Sequence, residues 1–225
     1  MYEYDVVCIG GGPGGSATAM RCADRGKKVC LIEGRARNGS GGTCVNRGCI
    51  PTKALMASAN LYASIKEAKA FGINVDMSAV SVDFKAIDKR KNAVINGLGF
   101  GLEAMLWKKS RGIDVVKGRA TLLDAHTIEV DNGKVKKTVT AENIVVAVGS
   151  EPAEIAAFNV DHKKVITSNE IMDFSRPLPK SIVIIGSGAI GLEYGHIYNI
   201  YGVDVTIVEM MPNLVPALHD TEITD

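Results

Sequence analysis

The chain has 225 residues, enough for one large domain or two small ones, and its 46% hydrophobic and 23% charged content is that of a folded globular protein. Its 26 basic and 25 acidic residues leave a formal net charge of +1, which gives no electrostatic footprint for a nucleic-acid or membrane partner. The longest apolar runs, such as residues 182–185, are far too short to cross a bilayer, and the opening residues lack the basic start of a signal or transit peptide.

Residues 5–9 read as a short apolar strand that runs into Gly10-Gly11-Gly12-Pro13-Gly14-Gly15. Helical patterning over residues 14–25 and a second strand at 29–32, closing on Glu33, complete a βαβ unit. Two long helical stretches follow, one over about residues 44–70 and one to about residue 109 that starts after Ser81 as N-cap. Residues 115–148 read as short strands with a hairpin turn at Asn132-Gly133, and the Pro-bearing stretch 175–180 as a linker. A second βαβ unit closes the chain. It comprises a strand at 182–185, the loop Gly186-Ser187-Gly188-Ala189-Ile190-Gly191, a helix to about residue 201, and a strand at 205–208 ending in Glu209. The expected class is α/β, with two Rossmann-like three-layer units of which the second is incomplete.

The spacing Gly10-x-Gly12-x-x-Gly15 has a mechanical reason. The first glycine permits a tight turn, the second lets a pyrophosphate approach the backbone, and the third lets helix pack on strand. The helix N-terminus supplies free N–H groups and a partial positive charge. Alone the pattern is weak, but here it follows a strand, opens a helix, and is followed 18 residues later by Glu33. Gly186, Gly188 and Gly191 repeat the pattern, with Glu209 again 18 residues on. A carboxylate there accepts hydrogen bonds from ribose hydroxyls and repels a 2′-phosphate. No arginine follows it, so the second nucleotide is expected to be NAD rather than NADP.

Of the five cysteines, Cys8, Cys22 and Cys30 fall in strand or helix patterns and read as buried small hydrophobes. Cys44 and Cys49 lie in Gly41-Gly42-Thr43-Cys44-Val45-Asn46-Arg47-Gly48-Cys49-Ile50-Pro51-Thr52-Lys53. In a regular helix Cα atoms five residues apart are about 8.6 Å apart, whereas a disulfide tolerates at most about 7 Å. A Cys44–Cys49 bond therefore needs a distorted turn, which Gly48 and Pro51 permit. Such a disulfide is readily reduced, and a helix N-terminus favours the thiolate. Buried structural thiols and a structural disulfide are the competing readings. A metal site is not expected, because no further Cys or His lies nearby.

This string closely resembles the active-site motif of the pyridine nucleotide-disulfide oxidoreductases. Its Pro51-Thr52-Lys53 ending is similar to the dihydrolipoamide dehydrogenase branch, and Val45-Asn46-Arg47 to the cyanobacterial and plastid type of that branch. The resemblance extends over Gly118-Arg119-Ala120, residues 147–152, residues 165–168 and residues 186–195. It implies that Cys44 is the interchange thiol, Cys49 the charge-transfer thiol beside the flavin, Lys53 the lysine near the flavin N5, and Glu193 its carboxylate partner. By the same likeness FAD is held by the first glycine loop with Pro13, Gly14 and Glu33. Gly34, Gly42, Thr43, Gly118, Ala120, Val148, Gly149 and Ser150 also belong to its expected site. NAD is expected on the second loop with Ala189, Ile190 and Glu209. Two positions depart from the usual pattern: Val148 stands where the family has Thr, and Ser40 replaces an apolar residue.

The resemblance also implies a division into an FAD-binding segment over 1–150, a linker over 151–180 and the start of an NAD-binding domain over 181–225. Family members continue for about as many residues again, with a C-terminal dimerisation domain and a His–Glu acid–base pair. Neither is expected among His126, His162, His196 and His219. The implied activity is oxidation of protein-bound dihydrolipoamide by NAD through FAD and the cysteine pair, an activity not expected of the isolated 225-residue chain. The implied partners are the lipoyl domain of a 2-oxoacid dehydrogenase or glycine cleavage complex and a second copy of the chain. The expected location is the cytoplasm, or the plastid stroma for a chain that has lost a transit peptide. Rival readings are another FAD-dependent disulfide or mercuric reductase and a non-catalytic nucleotide-binding fragment.

Overall fold

The computed structural model describes residues 1–34, 40–106, 108, 112–215, 220 and 222. The described chain forms two compact units, residues 1–50 with 93–151 and residues 51–92 with 152–225. Helices α3 and α4, defined below, each run through a boundary between them.

The first unit is built on parallel strands β1 (Tyr4–Ile9), β2 (Val29–Glu33) and β3 (Ile113–Lys117). Every residue of β2 is buried, Glu33 included, as expected of a strand covered on both faces. Two further strands, β4 (Arg119–Leu122) and β5 (Thr127–Asp131), form an antiparallel meander with β6 (Lys136–Val146). Strand β6 belongs to both arrangements. Its first half pairs with β5, Thr140 opposite Thr127, and its second half lies parallel to β1, Val146 opposite Ile9. The resulting order is β3-β2-β1-β6-β5-β4. The β5–β6 turn forms where Asn132 and Gly133 stand, with Gly133 at φ +83°.

Alternation places Val6, Cys8, Val29 and Leu31 against α1 (Pro13–Ala23) and the later turns of α4 (Phe84–Leu106), through Ala19, Leu102 and Leu106. The opposite residues, Val7, Ile9, Cys30 and Ile32, meet Ile128, Val130 and Val139 of the meander, and Tyr4 at the start of β1 joins that cluster. The layers are thus helix, parallel sheet and antiparallel ribbon. Each fully buried aliphatic side chain in them contributes about 1.5–3 kcal/mol.

The second unit holds a parallel pair, β7 (Ser181–Ile185) and β8 (Asp204–Val208), joined by α5 (Ala189–Ile200). Most of α3 (Cys49–Glu67) and the first turns of α4 also belong to it. Its core groups Leu55, Ala59, Phe174, Tyr194, Ile197 and Tyr198. Phe84, Tyr198 and Tyr201 meet Phe174 edge to face at ring separations of 5.4–6.1 Å. Buried Asp88 accepts from Phe174 N, and buried Lys91 donates to Met172 O and to Asp88. These contacts tie residues 172–174, which the sequence places in a linker, to α4.

Two local expectations need correcting. The stretch read as one helix over 44–70 is α2 (Gly42–Arg47), a break at Gly48, α3, and a 3-10 turn over Ala68–Phe71. The N-cap of α4 is Asp83 rather than Ser81. The Asp83 carboxylate accepts from Ala86 N at 3.0 Å, two residues nearer the helix than the serine. Helix α4 is described as far as Leu106, and the expected end near residue 109 falls outside the described residues. Among the described residues no helix is long and apolar enough to cross a membrane.

Candidate active site

In the first unit β1 turns sharply at Gly10, at φ +104°, where a side chain would run into the carbonyl of Ala147. Gly10 N donates to Ile32 O at 2.8 Å. A Cβ on Gly15 would overlap Gly10 O, so the close approach of α1 to the turn requires glycine there. Pro13 opens α1, and Gly12, its N-cap, makes no side-chain capping bond. The first-turn N–H groups are therefore left for an anion. Glu33 is buried beneath the loop, and its Oε2 accepts from Gly11 N at 2.8 Å.

The neighbouring elements converge on this loop. Gly118 N donates to Glu33 O at 3.0 Å, and a Cβ on Gly34 would lie 3.2 Å from Gly118 O. Ala120 follows in β4. Gly41 N donates to Gly11 O at 2.8 Å, and Gly42, at φ +57°, packs so closely that its Cβ would come 2.8 Å from Gly12 Cα. Residues 148–150 follow the end of β6 and are exposed.

Thr43 and Cys44 lie in the first turn of α2. Gly48 interrupts the helix at φ −135°, ψ −109°, and α3 begins at Cys49. A Cβ on Gly48 would meet Thr43 O at 3.2 Å, so the fold-back is close at this point. Across the break the half-buried Cys44 thiol lies close enough to the exposed Cys49 to interact with it, both being free thiols. Burial, and then the Cys49 thiol, pushes the Cys44 pKa up. Burial also pushes Cys8 up to about 11 and Cys30 to about 12. Arg47 grips Glu151 in a fork, Nη1 to Oε2 at 3.0 Å and Nη2 to Oε1 at 3.2 Å.

In the second unit Lys53, one turn into α3, pairs with Glu193 of α5 at 2.5 Å. Gly186 turns at φ +98° and its N donates to Val208 O at 2.8 Å. A Cβ on Gly191 would overlap Gly186 O, and Gly188 is an N-cap with no side-chain bond. Ala189 and Ile190 form the exposed start of α5. Ser187 donates from both N and Oγ to Glu209 Oε2 at 2.8 Å, and Met211 N donates to Oε1 at 2.9 Å. The Met211 N–H, then the Ser187 donors, hold the Glu209 carboxyl down at about 2.

Sequence reading missed Gly11, Ser187 and Glu151. The first two sit between glycines whose spacing is the motif, and their role depends on a carboxylate 22 residues away. Glu151 lies 104 residues from Arg47, with no local signal. His196 contacts Asn60 at 3.3 Å, His126 Nδ1 meets Ala141 O at 2.9 Å, and His219 lies outside the described residues.

The first unit fits a dinucleotide. It offers uncapped helix N–H groups, a glycine cradle and the buried Asn46 Oδ1, which finds no hydrogen-bond partner among the described residues. The pyridine nucleotide-disulphide oxidoreductase family matches residues 4–225, and the chain belongs to that family. Its members use FAD and share this Rossmann-like α/β fold. Among curated relatives, the chain is 42% identical over 217 residues to the dihydrolipoyl dehydrogenase of Chlorobaculum parvum, covering 96% of this chain and 44% of the relative. A dihydrolipoyl dehydrogenase of Bacillus subtilis is 36% identical, with 99% and 47% covered. A solved structure, the Cu(II) complex of the HOCl-induced flavoprotein disulfide reductase RclA from Escherichia coli, aligns with a TM-score of 0.75. It is 28% identical, with 96% of this chain and 44% of that one covered. The chain thus spans less than half the length of these relatives.

Proposed function

We propose that this chain carries the redox and nucleotide-binding residues of a dihydrolipoyl dehydrogenase, which oxidises protein-bound dihydrolipoamide with NAD. The observation that carries the reading is the approach of Cys44 to Cys49 across the Gly48 break, beside the turn at Gly42 that packs on Gly12. The relatives named dihydrolipoyl dehydrogenase support the substrate.

In the oxidised enzyme Cys44 and Cys49 share a disulfide. A dihydrolipoyl thiolate attacks Cys44 and the S–S bond breaks, with Cys49 leaving as a thiolate. The second lipoyl thiol, once deprotonated, displaces Cys44, which leaves with its electron pair and takes up a proton. Lipoamide disulfide departs and the enzyme holds two reduced sulfurs. The first glycine loop with Pro13, Gly34, Gly118, Ala120 and residues 148–150 would hold FAD, which when bound would supply a two-electron acceptor for the reduced cysteine pair, with NAD as the final acceptor. Lys53, steadied by Glu193, stabilises negative charge near the isoalloxazine. Glu209, ionised throughout the physiological range, selects a ribose hydroxyl over a phosphate. The partner is a lipoyl domain, and the full-length enzyme pairs as a homodimer.

The test uses the flavin-reconstituted full-length enzyme and NADH formation from dihydrolipoamide. Cys44→Ser and Cys49→Ser should both abolish turnover. On reduction, only Cys49→Ser should lose long-wavelength thiol–flavin absorbance. The reverse pattern would show the thiol roles exchanged. A second reading, another flavoprotein disulfide reductase, is favoured by the likeness to the Escherichia coli reductase. NADH-driven reduction of other disulfides without dihydrolipoamide oxidation would select it.

A further inference from the structure

We propose that Thr52 and Tyr194 are positioning residues for the Lys53–Glu193 pair, and this rests on reading that pair as part of the active site. The pair cannot place itself. The Lys53 side chain is 59% exposed and that of Glu193 30%. An ion pair in that setting is weak, because water screens it and ordering a long lysine costs entropy. One residue back on α3 and one forward on α5, the surroundings change. Thr52 is 3% exposed and Tyr194 2%, and Thr52 Oγ1 donates to the Tyr194 hydroxyl at 3.3 Å. Tyr194 packs in the core with Leu55, Ala59 and Ile197. A hydroxyl pair in so dry a place is held, because neither partner finds water if it leaves. Thr52 adjoins Lys53 and Tyr194 adjoins Glu193, so the buried bond fixes the two backbones where the charged side chains emerge. The ammonium then reaches the carboxylate from few rotamers rather than many.

The experiment reads Lys53 amine reactivity in the 225-residue chain by competitive acetylation with acetic anhydride and mass spectrometry, without added flavin. An ammonium held on a carboxylate acetylates more slowly than a free one. Glu193→Gln should speed Lys53 labelling by about 1.4- to 5-fold, the range an exposed pair sustains. Tyr194→Phe and Thr52→Val, which keep the packing volume, should each recover most of that increase. Thr52→Ser keeps the hydroxyl and should label at the parent rate, and exposed Lys85 should be unchanged throughout. A purely structural role would make Thr52→Ser as fast as Thr52→Val or speed Lys85 as well, and either result overturns the inference. So does an increase confined to Glu193→Gln, or none even there. FAD titration of Lys53→Met tests the other reading separately. Unchanged flavin binding and spectrum there would remove Lys53 from the flavin site while leaving the positioning contact intact.

Discussion

The two βαβ units carry the same hinge and differ in what surrounds it. In both, the first glycine is at a positive φ near +100°, its N–H reaches the neighbouring parallel strand, and the last glycine admits the helix. In both, the residue after the first glycine donates to a glutamate 22 positions on. Around β1 the sheet continues on both sides, Glu33 is buried, and Gly10 is crowded by Ala147. Around β7 only β8 is paired among the described residues, Gly186 has open space, and Glu209 is held by a serine hydroxyl as well as by backbone. The hinge is therefore a property of the local sequence, whereas its tolerance to change is set by the strands beside it.

The sharpest way to break that comparison is Gly10→Ala against Gly186→Ala. Both force an L-residue into a left-handed conformation, at about 1–2 kcal/mol. Only Gly10→Ala also drives a methyl into Ala147 O, adding about 1–3 kcal/mol of overpacking. Urea unfolding followed by hydrogen exchange on β1 and β7 should show the larger loss in the first unit. Equal losses would mean that the neighbouring strand is irrelevant.

A smaller difference is expected of the carboxylates. Glu33→Ala strands a buried Gly11 N–H, at about 1–3 kcal/mol. Glu209→Ala exposes its donors to water and should cost less stability, but it should weaken NAD more than NADP, because only NAD offers a 2′-hydroxyl. Isothermal titration of both nucleotides checks this, and equal weakening would remove Glu209 from ribose recognition.

The smallest effect concerns pH. The depressed Glu209 carboxyl stabilises the fold above its unfolded value, about 4.3. That stability is lost as pH falls toward about 2. Ser187→Ala removes one donor and should move the titration upward, as read by carboxyl NMR. No movement would show that the backbone donors of residues 187 and 211 suffice.

Much of this was legible in advance. The glycine spacing and closing glutamates defined both hinges because each depends on residues a few positions apart or one βαβ unit away. A Cys44–Cys49 bond was expected to need a distorted turn that Gly48 permits, and Gly48 is where the helix breaks. What the sequence hid depends on distance. A single glycine does not interrupt helical periodicity, so α2 and α3 read as one helix. Ser81 and Asp83 are both capable caps, and only the geometry of the first turn chooses Asp83. Residues 51–92 and 152–180 read as part of the first domain and a linker. They join the second unit through Phe84, Phe174 and Tyr198, whose meeting leaves no periodic trace. The same holds for Arg47 with Glu151 and Thr52 with Tyr194.

The central claim, that Cys44 and Cys49 are a reversible dithiol–disulfide pair matched to lipoyl chemistry, is tested most directly by thiol mapping. The chain would be equilibrated with lipoamide or with dihydrolipoamide, alkylated under unfolding conditions, and each cysteine read by mass spectrometry. Lipoamide should protect Cys44 and Cys49 together as one intramolecular disulfide, dihydrolipoamide should return both to alkylation, and Cys8, Cys22 and Cys30 should alkylate fully in either case. Alkylation of Cys44 and Cys49 that is the same in both solutions would contradict the account.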